Sequence, residues 1–150
     1  MKENMKEIEE TMRLSIFEVF EKMFYIFLEP QDDESNDYDM AAAIKFDGFL
    51  SGEIRLLLSM DMAKAMIQNM LGLEKDEITT QKMEDCSKEA VNMICGNFLG
   101  KFDSTKVFNL TIPSFSMEIA SIEPDKNACR MDFASDEGSV GVIFDANGRV

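Results

Sequence analysis

Residues 85–101, Asp-Cys-Ser-Lys-Glu-Ala-Val-Asn-Met-Ile-Cys-Gly-Asn-Phe-Leu-Gly-Lys, repeat their apolar positions with the period of a helix that packs on one side only. At about 100° per residue, Asp85, Glu89, Asn92 and Gly96 fall within about 60° of one another and share one stripe. Ala90, Val91, Ile94 and Phe98 take the opposite side, an ordinary core-facing stripe. The spacing predicts a helix that starts near Thr80, docks through one face and presents the other, with Gly100 ending it in the left-handed conformation.

What the free face presents is a carboxylate, Glu89, and a carboxamide, Asn92, at i and i+3, near enough to act on one target. Gly96, one turn on, costs about 1 kcal/mol of helix stability relative to alanine and removes a side chain, so a partner can approach closely. Met93 and Leu99 flank the stripe and are candidates for apolar contact, with Asp85 at its other end. Glu and Asn at this spacing also occur on plain solvated helices. The residues alone leave both readings open.

Composition narrows the function classes. With 150 residues and 45% hydrophobic content the chain suits one domain, 1–150, burying about 68–70% of its unfolded surface. A formal charge of −14 argues against nucleic acid or an anionic membrane as the main partner. Zero histidines remove the usual base near neutral pH and the commonest metal ligand, excluding Ser-His-Asp chemistry and His-ligated zinc. Catalysis must use carboxylates, amides or thiols. Cys86, Cys95 and Cys129 lack metal-ligand spacing and are expected to be reduced, half-buried thiols. The charged start, Met1-Lys2-Glu3-Asn4, does not resemble a secretory signal, and the longest apolar run, Met23 to Leu28, cannot span a bilayer. A soluble, cytoplasmic protein is expected.

Along the chain, Ile8, Met12, Ile16, Val19, Phe20, Met23 and Phe27 predict a long first helix from about Met5 to Glu29, ended by Pro30. Its second half adds Phe17, Phe24, Tyr25, Ile26 and Leu28, enough apolar surface to pack on a sheet and a second subunit, although its own sheet would account for it as well. Residues 31–37 read as an acidic solvated loop, since they lack the spaced ligands and glycine of a calcium loop. Tyr38, Met40, Ala42, Ile44 and Phe46, then Ile54, Leu56, Leu58 and Met60, alternate as a half-buried hairpin. Asp61 is the expected cap of a short helix that carries Met62, Met66 and Met70 and stops at Gly72. After the motif helix, alternation at Phe115–Ile119, Cys129–Phe133 and Val140–Phe144 predicts three antiparallel strands, with turns at 124–127 and 136–138. The fold class is α+β: long helices on an antiparallel sheet, with a pseudo-repeat of helix and hairpin.

The motif helix resembles the signature of the CheC/CheX/FliY family of chemotaxis phosphatases, an Asp or Ser, three residues, then Glu-x-x-Asn; here Asp85, Glu89 and Asn92. The continuation Asn92-Met93-Ile94-Cys95-Gly96-Asn97 is similar to the single-motif CheX branch. In two-motif members the first helix also carries Glu-x-x-Asn; here the nearest equivalent, Glu18 with Glu21, lacks the asparagine.

The resemblance implies hydrolysis of the aspartyl phosphate of a CheY-like response-regulator receiver. In that role Asn92 orients the attacking water and Glu89 pairs with the receiver's lysine. It implies no cofactor in this chain, Mg2+ on the receiver, and a homodimer. The competing reading is a receiver-binding or flagellar-switch interaction module of the same fold that hydrolyses nothing.

Overall fold

The computed structural model describes residues 2–31, 37–102, 107–119 and 128–148. The chain runs α1 (Lys2–Phe24), β1 (Glu29–Gln31), β2 (Met40–Asp47), β3 (Leu50–Leu58), α2 (Met60–Leu71), a 3-10 turn (Lys75–Glu77), α3 (Thr80–Phe102), β4 (Asn109–Leu110), β5 (Ser114–Ser116), β6 (Cys129–Ser135) and β7 (Gly138–Gly148). The strands pair antiparallel in one sheet of order β1-β6-β7-β3-β2-β4, with β5 also on β2. This is the α+β architecture that the alternation of periods predicts.

Period-two patterning sets the register. Ala42, Leu56, Val142 and Met131 stand side by side across four strands, and Ile44, Ile54 and Phe144 across three. All face the helices and join the main core. A one-residue slip would turn each apolar row to the other face. That other face holds a smaller cluster, Ala41, Leu57 and Ile143, over which Tyr38 and Ile119 pack. Tyr38 lies against Gly141, where an added Cβ would sit 2.8 Å from its ring, and donates a 2.6 Å hydrogen bond to the buried Asp132.

Several expectations need correction. Helix α1 stops at Phe24, not Glu29: Tyr25 takes a left-handed φ of 56°, the Ile26 N–H returns to the Phe20 carbonyl, and the Asn69 side chain of α2 donates to the Phe24 carbonyl. Burial then alternates, with Ile26 and Leu28 inside and Tyr25 and Phe27 outside, leading into the edge strand that holds Pro30. The surplus apolar surface of 25–28 therefore belongs to an extended segment.

Tyr38 continues the hairpin's parity in sequence but lies on the opposite face, because β2 begins only at Met40. Helix α2 is capped by Ser59, whose hydroxyl accepts from Met62 N; Asp61 sits in the first turn, and Gly72 ends the helix at φ 68° as expected. Of the Phe115–Ile119 alternation only Ser114–Ser116 is strand, and it pairs with β2 rather than with the next strand. The 124–127 turn lies outside the described residues.

Cys86 and Cys95 are buried rather than half-buried, and Cys129 is half-buried; none is in a disulfide. Desolvation pushes the first two thiols up to about 12 and the third to about 11.

Helix α3 is fixed to the sheet by rings. Phe98, fully buried, makes edge contacts with Phe46 of β2, Phe144 of β7 and Phe102 one turn on. Replacing it (Phe98→Ala) should lower stability by about 3–5 kcal/mol, measured as the free energy of urea unfolding; a loss under ~1 kcal/mol would remove it from the core's centre.

Candidate functional site

Helix α3 begins where Thr79 caps it, its hydroxyl accepting from Lys82 N at 3.2 Å. Its buried residues are Met83, Cys86, Ser87, Ala90, Val91, Ile94, Cys95, Phe98 and Leu99, in steps of three and one along the whole length. Asp85, Glu89, Met93, Gly96 and Gly100 are exposed on the other side and Asn92 is half-buried at the margin. The helix docks through one face and presents the other.

Not every expected member is on that strip. Leu99 is only 5% exposed. It ends the row Met83-Ser87-Val91-Cys95-Leu99, a four-residue ridge that runs obliquely around the helix, so it stays in the core although two turns earlier the same angle carries Asn92. Met93, 41% exposed, is the apolar residue that the strip offers. Gly100 does not end the helix, which continues to Phe102, whose ring rests on Phe98. It instead extends the bare strip: a Cβ added at Gly96 or Gly100 meets nothing within 4 Å.

The polar groups differ in what they touch. Asp85 accepts from Gln81 Nε2 at 2.9 Å, and Glu84 pairs with Lys88 at 3.2 Å, both within the helix surface. Glu89 and Asn92 have no hydrogen-bond or ion-pair partner among the described residues. A carboxylate and a carboxamide thus stand together one turn apart with their bonding capacity open to a second molecule. The strip is convex. Cavities of about 420 and 350 Å³ lie elsewhere, the first against Tyr25 and Phe27, the second against Lys64 and Lys75.

On α1, Glu18 does not mirror Glu89. One of its carboxylate oxygens accepts from Lys101 Nζ at 2.9 Å and the other from Asn97 Nδ2 at 3.3 Å. The Lys101 hydrogen bond holds its carboxyl below the ordinary value, against a desolvation that raises it. Glu21 is exposed. Sequence reading did not find Asn97 and Lys101; their i, i+4 spacing on α3 was the available signal. Among the described residues no three His, Cys, Asp or Glu side chains converge to hold a metal ion, and no helix is long and apolar enough to cross a membrane.

Because Gly96 is helical and open on its outer side, Gly96→Ala should raise the unfolding free energy by about 0.5–1 kcal/mol. Denaturant midpoints check this. A loss of stability would mean that the site is not open in the free protein.

Comparison with known proteins agrees with this fold. The sequence profile of the family described as "Chemotaxis phosphatase CheX" matches residues 40–133, well over half of the chain. No curated protein sequence matches. Among solved structures, the chemotaxis protein CheX from Vibrio vulnificus superposes with a TM-score of 0.80 at 21% identity, covering 94% of this chain and 97% of that one. A CheX from Desulfovibrio desulfuricans gives 0.75 at 23%, covering 94% and 99%. The CheX of a CheX–CheY–BeF3–Mg2+ complex from Borrelia burgdorferi gives 0.69 at 18%, covering 92% and 96%. At these identities the likeness is one of fold.

Proposed function

The chain belongs to the CheX family of chemotaxis phosphatases, and from that premise we propose that it hydrolyses the aspartyl phosphate of a CheY-like receiver domain in the cytoplasm. The observation that carries this reading is the pair Glu89 and Asn92, exposed or at the margin of exposure on a convex helix and without a hydrogen-bond or ion-pair partner among the described residues. A solved relative held in complex with CheY, BeF3 and Mg2+ supports the choice of partner.

In the proposed reaction α3 enters the receiver's active site. The Asn92 carboxamide oxygen accepts a hydrogen bond from a water and aims it at phosphorus, in line with the bond to the aspartyl oxygen. The water oxygen bonds to phosphorus, the bond from phosphorus to the aspartyl oxygen breaks with its electrons left on the carboxylate, and the water's proton leaves with the phosphate. Glu89 pairs with the receiver's lysine and fixes the register of the two proteins. Asp85 rims the contact, Met93 adds apolar area, and the bare backbone at Gly96 admits the receiver's surface. This chain's residues contribute position; a magnesium ion, if bound by the receiver, would supply charge neutralisation of the phosphoryl oxygens.

Positioning is worth orders of magnitude in rate, so Asn92→Ala should lower the rate of phosphate release by about 10²-fold while the receiver still binds. Glu89→Ala should weaken binding about tenfold, because it leaves the receiver's lysine unpaired. Phosphate release from a magnesium-loaded, phosphorylated receiver of the same cell measures the first, and titration calorimetry the second. If phosphorylated receiver binds but the intact protein releases no extra phosphate, the chain is a reader of phosphorylation and the catalytic reading fails.

The protein is further proposed to form a homodimer, with support from a different place than the first helix. Of the surplus apolar residues expected there, Phe24, Ile26 and Leu28 are buried in the chain's own core. Exposed ones gather around β4 and β5: Val107 at 85% exposure, Ile112 at 90%, with Leu110 and Met117. Ile112→Asp combined with Val107→Asp should convert a dimeric mass to a monomeric one in light scattering. An unchanged dimer would move the contact away from this edge.

A further inference from the structure

The two 23-residue helices α1 and α3 pack on each other through apolar side chains, and the side-chain hydrogen bonds that join them among the described residues converge on Glu18. Its two carboxylate oxygens are divided between Asn97 and Lys101, which are one turn apart on α3. Each of these follows a glycine, Gly96 or Gly100, so the carboxylate grips the stretch of α3 with the lowest helix propensity.

An exposed ion pair alone contributes little. Here, however, the second contact fixes an amide: among the described residues the buried Asn97 Oδ1 has no hydrogen-bond partner, so the bond to Glu18 is the polar contact that orients that side chain. Apolar ridges set the spacing of two helices more firmly than their slide along one another. A carboxylate held at two points one turn apart restrains slide and rotation together.

We propose that Glu18 is a positioning residue: a brace from α1 that keeps the glycine-bearing end of α3, Gly96 to Phe102, helical and in register, so that its bare outer face can receive a partner. The position on α1 that comes nearest to a second Glu-x-x-Asn motif thus works inward, on the helix that carries the first. The brace itself is a property of the free protein. Its consequence for docking rests on the receiver reading above.

Two measurements on the full chain test it: amide hydrogen exchange along α3, and affinity for a receiver treated with beryllium fluoride, a stand-in for the acyl phosphate that is not hydrolysed. In Glu18→Ala, exchange over 96–102 should speed up about tenfold while α2 and the first half of α3 keep their protection. Affinity should fall about fivefold. Adding Gly100→Ala, which restores helix propensity at an open position, should return the exchange toward the parent value. Glu18→Gln, which keeps an acceptor for Asn97 and loses the charge pair, should fall between.

Unchanged exchange over 96–102, or a uniform rise across all three helices, overturns the brace. Faster local exchange with unchanged affinity overturns its role in positioning. If the parent protein binds no receiver at all, the phosphatase reading is what fails, and the brace is decided by exchange alone.

Discussion

Everything at the surface of α3 depends on how the helix is held from beneath. Phe98 sits among the rings of Phe46, Phe144 and Phe102, so the helix is pinned to β2 and β7, the strands on either side of β3, at one deeply buried point. Small residues, Cys86, Ser87, Ala90, Val91 and Cys95, alternate on the buried face with Met83, Ile94 and Leu99. A helix fixed this firmly on one side can leave the other side bare. It can carry two glycines and an unpaired carboxylate there without having to recruit stability from that face.

How much of this was legible in the sequence follows from the length of each pattern. Over 23 residues the three-and-four spacing of α3 admits one solution, and it placed Glu89, Asn92 and Gly96 on the free face correctly. The β2–β3 and β6–β7 hairpins were readable for the same reason, since eight or so alternating residues with a register to keep leave little choice. Residues 25–28 were misread because Tyr-Ile-Phe-Leu is apolar at every position and carries no period; the left-handed Tyr25, which ends the helix, has no glycine to announce it. Strands β1 and β4, of two or three residues, owe their existence to a neighbour's edge and so leave no local trace, whereas β5 showed in the Phe115–Ile119 alternation with its length overstated.

At the site, the error at Leu99 has a geometric cause. Angle on a helical wheel describes a straight cylinder in isolation, whereas burial follows the ridges that a neighbouring surface selects. Leu99 and Asn92 differ by little in angle and by two turns in height, and the core reaches one and not the other. Gly100 was misassigned by a similar simplification. A glycine near the end of a periodic run is a sound stop signal only where nothing beyond it packs, and here Phe102 does.

The charge distribution makes a matching argument about chemistry. A chain of net charge −14 is ill suited to approach a phosphoryl group, and the strip meets this by the kind of group it offers. The residue proposed to face phosphorus is a neutral amide, and the neighbouring carboxylate is proposed to face a cation one helical turn away. The remaining carboxylates nearby are occupied: Glu84 by Lys88, Asp85 by Gln81, Glu18 by Lys101 and Asn97. Those pairings tie Glu84 and Asp85 to their own helix and Glu18 of α1 to α3, while Glu89, without a partner among the described residues, is the carboxylate proposed to meet a lysine. In a molecule without histidine, selectivity of this kind comes from which acids are left unpaired.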